Sequence, residues 1–78
     1  MGLELSFAKV LKSLRMKNKL SQEELAFQSN LDRTYISMLE RGIHLPTIPT
    51  LFALAKALQI NASDFIRLVE LDLNGGNN

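Results

Sequence analysis

Cysteine is absent from this 78-residue chain, and histidine occurs once, as His44. Disulfides and thiolate metal sites are therefore excluded, and one imidazole does not make a zinc site. No apolar run approaches the roughly 20 residues of a membrane span. No signal-peptide pattern opens the chain. A soluble cytoplasmic protein is the expectation. There is no glycine-rich phosphate loop, no nucleophile with its base and no cluster of metal ligands. Neither an enzyme nor a cofactor or small-molecule site is expected. A strong charge of one sign is missing too. The formal net charge is +1, but it hides a gradient. Residues 9–44 carry seven basic side chains against four acids, a net of +3, whereas Lys56 and Arg67 face Asp64, Glu70 and Asp72 beyond Leu45. Alone, that gradient points only weakly to an anionic partner.

What is present is enough apolar surface to fold. At 46% hydrophobic residues the chain is no disordered tail. One small domain with a thin core is expected, and self-association would help it. Caps and apolar stripes predict five helices and no strand. The first is expected over Phe7 to Lys17, capped by Ser6, with Phe7, Val10, Leu11 and Leu14 as its stripe. Ser21 and Glu24 have capping-box spacing at the start of a second helix, with Leu20 and Leu25 as a staple. Asp32 caps a third helix, which stops at Gly42. Thr47 precedes a fourth, with Pro49 in its first turn, and Asn61 precedes a fifth. The closing DLNGGNN has the composition of a frayed tail. The expected core is Leu11, Leu14, Leu25, Ala26, Ile36, Leu39, Leu51, Leu54, Ala55 and Leu58.

The stretch SQEELAFQSNLDRTYISMLERG, Ser21 to Gly42, places two short helices across a connection too short for anything but a sharp turn. This is helix-turn-helix spacing, and Ala26 is small enough for the two helices to cross closely. In such a unit the second helix lies in the DNA major groove. Arg33, Ser37 and Arg41 stand four residues apart and form one stripe, flanked by Thr34 and Tyr35, while Ile36 and Leu39 face inward. Fork-shaped donors and hydroxyls suit phosphates and base edges. Gln22, at the start of the second helix, is placed to reach a phosphate. The bland readings are a solvated Arg33, an Arg41 that caps carbonyls and a Tyr35 whose ring packs on the domain. Glu40 would repel phosphate and is expected to face away, paired with Arg15 or another base of the first helix.

Ser21, Gln22, Glu24, Leu25 and Ala26, then Ile36, Leu39, Glu40, Arg41 and Gly42, with Pro46 to Leu58 beyond, resemble the Cro/cI-like (XRE-type) helix-turn-helix family. The resemblance implies an all-α, five-helix lambda-repressor-like DNA-binding domain. It covers one domain over residues 1–78, ordered from about 5 to 72, with the helix-turn-helix at 21–42. SNLDRTYIS, Ser29 to Ser37, is similar to a narrower group, the small controller proteins of restriction–modification systems. That implies a homodimer on a palindromic operator, regulating transcription of its own gene and a neighbouring endonuclease gene. The implied DNA-binding residues are Arg33, Thr34, Tyr35, Ser37 and Arg41. Gln22 is added as a phosphate anchor. Met38 falls where relatives place a polar base-reader, and its thioether suits a thymine methyl or plain packing. His44 is placed for a phosphate in the loop after Gly42. Lys19 and Gln59 stand where the family often has glycine. Asn18 is expected to absorb the left-handed turn beside Lys19. Alternatives are a phage-type repressor, an antitoxin, or a protein-interaction module that has lost DNA binding.

One short recognition helix gives too small a contact for high specificity, and a dimer supplies two. The fifth helix carries more apolar side chains than one inward face hides. Ile66, Leu68 and Val69 are therefore assigned to the dimer interface.

Overall fold

The structure, a computed structural model, describes residues 2–75. The chain forms α1 (Leu3–Lys17), α2 (Gln22–Ser29), α3 (Arg33–Glu40), α4 (Ile48–Ala57) and α5 (Ala62–Gly75). No strand occurs among the described residues. The caps fall where the side chains dictate. Ser21 Oγ accepts the Glu24 N–H at 3.0 Å, and the Glu24 carboxylate accepts the Ser21 N–H at 2.7 Å. Asp32 accepts the Thr34 N–H at 2.9 Å, and Thr47 accepts the Thr50 N–H at 3.3 Å. Each satisfies a backbone donor that a helix start leaves without an intrahelical partner.

Four of the helices end with one device. Lys19, Asn30, Gly42 and Gln59 are left-handed, with φ between 57° and 74°. The residue after each donates its N–H back over the last turn: Leu20 to the Arg15 carbonyl, Leu31 to Ala26, Ile43 to Met38 and Ile60 to Ala55. This is the Schellman pattern, with an apolar residue following the left-handed one. It corrects the expectation for the first turn. Lys19 itself takes the positive φ, while Asn18 stays at −86°. Asn18 is occupied otherwise, since its Nδ2 donates to the Leu14 carbonyl at 2.8 Å and to the Leu58 carbonyl at 3.3 Å. It thereby stitches the end of α1 to the end of α4.

Two helix ends differ from expectation. α1 starts at Leu3 with Gly2 as cap, and Ser6 lies buried inside it, its N–H bonded to the Gly2 carbonyl at 3.2 Å. Leu3, Glu4 and Leu5 do nothing to stop a helix. Leu5 also lies against Gly42, where an added Cβ would stand 2.7 Å from Leu5 Cδ2. That contact with the exit of α3 holds the extra turn. At the other end of the chain α5 runs on to Gly75, with Lys9 Nζ 3.5 Å from Asp72. Met1 and the last three residues of the expected tail lie outside the described residues.

α1 packs on α3 and α5, α2 on α3 and α4, and α4 on α5. Every core residue expected, from Leu11 to Leu58, is buried. Phe7 and Phe65 join them, their rings stacked with centroids 5.1 Å apart. Val69 is a correction. At 3% exposure it belongs to the monomer's own core, so it is not free for a partner. Phe65 and Val69 are one turn apart and face α1, which leaves Ile66, Leu68 and Leu71 outside.

A left-handed residue with a Cβ costs about 1–2 kcal/mol, which glycine largely avoids. Lys19→Gly and Gln59→Gly should therefore each stabilise the fold by up to about 1 kcal/mol, a rise in Tm of about 4–8 °C for a domain of this size. Thermal unfolding followed by circular dichroism checks this; an unchanged or lowered Tm for both contradicts it.

Candidate nucleic-acid interface

α3 is divided lengthwise. Ile36 and Leu39 are fully buried, and Tyr35 packs its ring partly against the same core. Arg33, Thr34 and Arg41 are exposed, with Ser37 and Met38 half-buried beside them. The structure thus brings the expected stripe onto one open face. Arg41 follows the last helical residue and donates from Nε to the Ser37 carbonyl at 3.4 Å. That is a weak cap, and the rest of its guanidinium remains open to solvent. His44 lies exposed in the loop leading to α4.

Behind this face sits a compact polar cluster. Arg15 Nε donates to Glu40 Oε2 at 2.6 Å and Nη2 to Oε1 at 3.0 Å, a two-pronged pair with side-chain exposures of 13% and 4%. Arg15 Nη1 also donates to the Leu20 carbonyl at 2.8 Å. Glu40 raises the pKa of the Arg15 guanidinium, chiefly through their hydrogen bonds, against a smaller opposing effect of burial. The cluster joins α1, the turn into α2 and the last residue of α3. It holds the helix-turn-helix from behind, with the carboxylate's charge turned inward and away from an approaching phosphate.

Gln22 belongs to the same cluster. Its Nε2 donates to Glu40 Oε1 at 3.1 Å, and the side chain is half-exposed at the first residue of α2. The Arg15–Glu40 pair was one of the pairings expected for Glu40, but the link to Gln22 was not. No local spacing signals it, because the two residues belong to different helices.

A second exposed surface is apolar. Ile48 is 67% exposed and Phe52 59%, although Phe52 stands beside the buried face of α4. Ile48, with Leu3, Leu45 and Ile66, surrounds an apolar groove floored by Phe7, Leu51 and Val69. The signal was available in the sequence: Leu45 is a bulky apolar residue in the loop before α4, and Ile48 is another at the first residue of that helix.

Residues 11–65 match the helix-turn-helix family. The chain is 35% identical over 66 residues to control protein C.BamHI of Bacillus amyloliquefaciens, covering 83% of this chain and 82% of that protein. The crystal structure of the restriction-modification controller protein C.AhdI from Aeromonas hydrophila matches with a TM-score of 0.77 at 39% identity, over 80% of this chain and 94% of that one. The controller protein C.Esp1396I, as a tetramer in complex with its natural 35 base-pair operator, matches with a TM-score of 0.81 at 36% identity, over 90% and 92% of the two chains.

Removing one partner of a buried ion pair leaves an uncompensated charge, at a cost of about 3–5 kcal/mol. A domain of this length holds roughly 4–12 kcal/mol in total. Glu40→Ala should therefore lose about half of its stability in urea unfolding. A loss under about 1 kcal/mol would show that the pair does not hold the unit together.

Proposed function

The chain belongs to the helix-turn-helix family, among the controller proteins of restriction–modification systems, and from that premise we propose how this sequence-specific DNA-binding regulator reads its operator. α3 enters the major groove and presents Arg33, Thr34, Tyr35, Ser37 and Arg41, with Met38 at the edge of the contact. Gln22 and His44 lie beside it and take phosphates. The observation that carries this reading is the division of α3: Ile36 and Leu39 are wholly buried while Arg33, Thr34 and Arg41 stand open on one face. A helix pinned by its apolar side and backed by the Arg15–Glu40 pair offers those side chains with little freedom left to lose on binding.

Roles divide by chemistry. Arg33, in the first turn of α3, is the reader, since an arginine bonding both acceptors of a guanine edge discriminates between bases. Gln22, at the start of α2, is an anchor, and a phosphate contact carries no sequence information. The protein works as a homodimer on an inverted repeat, regulating its own gene and a neighbouring endonuclease gene. The exposed surface of Ile48, Phe52 and Ile66 is the seam of that dimer; Leu68 lies on the other side of α5, beside Lys9 and Val10 of α1, and falls outside it. So large an apolar patch on so small a domain supports coverage by a second copy. With Val69 buried, Ile66 is the residue of α5 that this seam uses.

Two measurements test this. Against a panel of single-base variants of a duplex recovered by selection, Arg33→Ala should lose about 1–3 kcal/mol at particular positions. Equal losses across the panel would remove its role as reader. In sedimentation at micromolar concentration without DNA, the wild type should be a dimer and Ile48→Asp a folded monomer, because that side chain packs into no part of its own core. A monomeric wild type, or an Ile48→Asp variant that dimerises equally well, excludes this seam.

A further inference from the structure

We infer that Glu40 is a positioning residue for DNA: its carboxylate fixes the Gln22 side-chain amide at the start of α2 and so sets affinity for the phosphate backbone without touching it. The inference rests on the reading of Gln22 as a phosphate anchor. An ionised carboxylate only accepts hydrogen bonds, so the amide edge turned toward Glu40 Oε1 must be the nitrogen, as found at 3.1 Å. That nitrogen carries two protons. One is engaged by Glu40, and the other is left with its direction fixed by the plane of the amide. The carboxylate cannot turn to follow another partner, because Arg15 grips both of its oxygens at 2.6 and 3.0 Å. Arg15 is held in turn by the Leu20 carbonyl at 2.8 Å. A glutamine on an open helix start loses rotamer freedom when it grips a phosphate; this one has lost it on folding. An acid that would repel DNA from the surface thus serves binding from 4% exposure, its charge balanced by Arg15.

A double-mutant cycle tests the inference, using the full chain, a duplex selected by the wild type and an unrelated duplex. Glu40→Asp keeps the negative charge that pairs with Arg15 but draws the carboxylate back by one methylene, away from Gln22. It should weaken both duplexes about five- to tenfold, with base preference unchanged. In a Gln22→Ala background the same change should alter affinity less than about twofold. A merely structural Glu40 would cost the same in both backgrounds, and that result overturns the inference. Where Glu40→Asp fails to fold, the nitrogen-15 spectrum of the wild type decides. The Gln22 side-chain amide proton held by Glu40 should exchange slowly with water, both free and on DNA; a rapidly exchanging amide, or one that leaves Glu40 on binding, overturns it. Failure of the underlying reading is distinct: wild-type protein would retain no duplex, or Gln22→Ala would bind as tightly as wild type, and the inference would fall with it.

Discussion

The two-pronged pair between Arg15 and Glu40 is the constraint on which the arrangement of the helix-turn-helix depends. It spans the end of α1 and the end of α3 in a place where neither charge has enough water to stand alone. Apolar packing by Ile36 and Leu39 drives α3 onto the domain, but such packing is non-directional and tolerates small rotations. The paired hydrogen bonds do not. They fix the angle at which the outer face of α3 is offered, and the bond from Arg15 to the Leu20 carbonyl fixes the entry to α2 as well. A recognition surface on so small a domain has little bulk behind it, so rigidity has to come from a few directional contacts.

Much of the fold was legible because its signals are local. Ser21, Asp32 and Thr47 cap helices through backbone groups two or three residues away, and a cap of that kind needs no tertiary partner. The stripe of Arg33, Ser37 and Arg41 was equally legible, since helical spacing alone puts the three on one side. What the sequence concealed depends on distant neighbours. The first turn of α1 persists because Leu5 meets Gly42. Val69 turns inward because α1 covers that side of α5, and the count of apolar residues in α5 could not say which of them α1 would claim. The left-handed turns at Lys19 and Gln59 were hidden for another reason: neither residue type favours the conformation, and the apolar residues following them enforce it from the core.

The thin core and the apolar surface are two aspects of one limitation. A chain of this length buries Phe7, Phe65 and six leucines of α1 to α4, Leu11, Leu14, Leu25, Leu39, Leu51 and Leu54, and it runs out of interior before it runs out of apolar side chains. Part of the surplus, Leu3, Leu45, Ile48 and Ile66, gathers around one groove at the α4–α5 junction, none of it on α3. This separation lets one side of the domain be covered by a second copy while α3 stays open. In the dimer we propose, the geometry of the seam would set the distance between two recognition helices, which is how a symmetric pair of small domains measures an inverted repeat.

The central claim is that α3 reads base edges in the major groove from a pinned helix. Methylation of guanine N7, which lies in that groove, tests it most directly when applied to a duplex selected by the wild type and scored for interference with binding. Interference in two clusters about one helical turn apart, lost at the guanine read by Arg33 when Arg33 is alanine, is the predicted result. Binding that is indifferent to N7 methylation at every guanine would contradict the account.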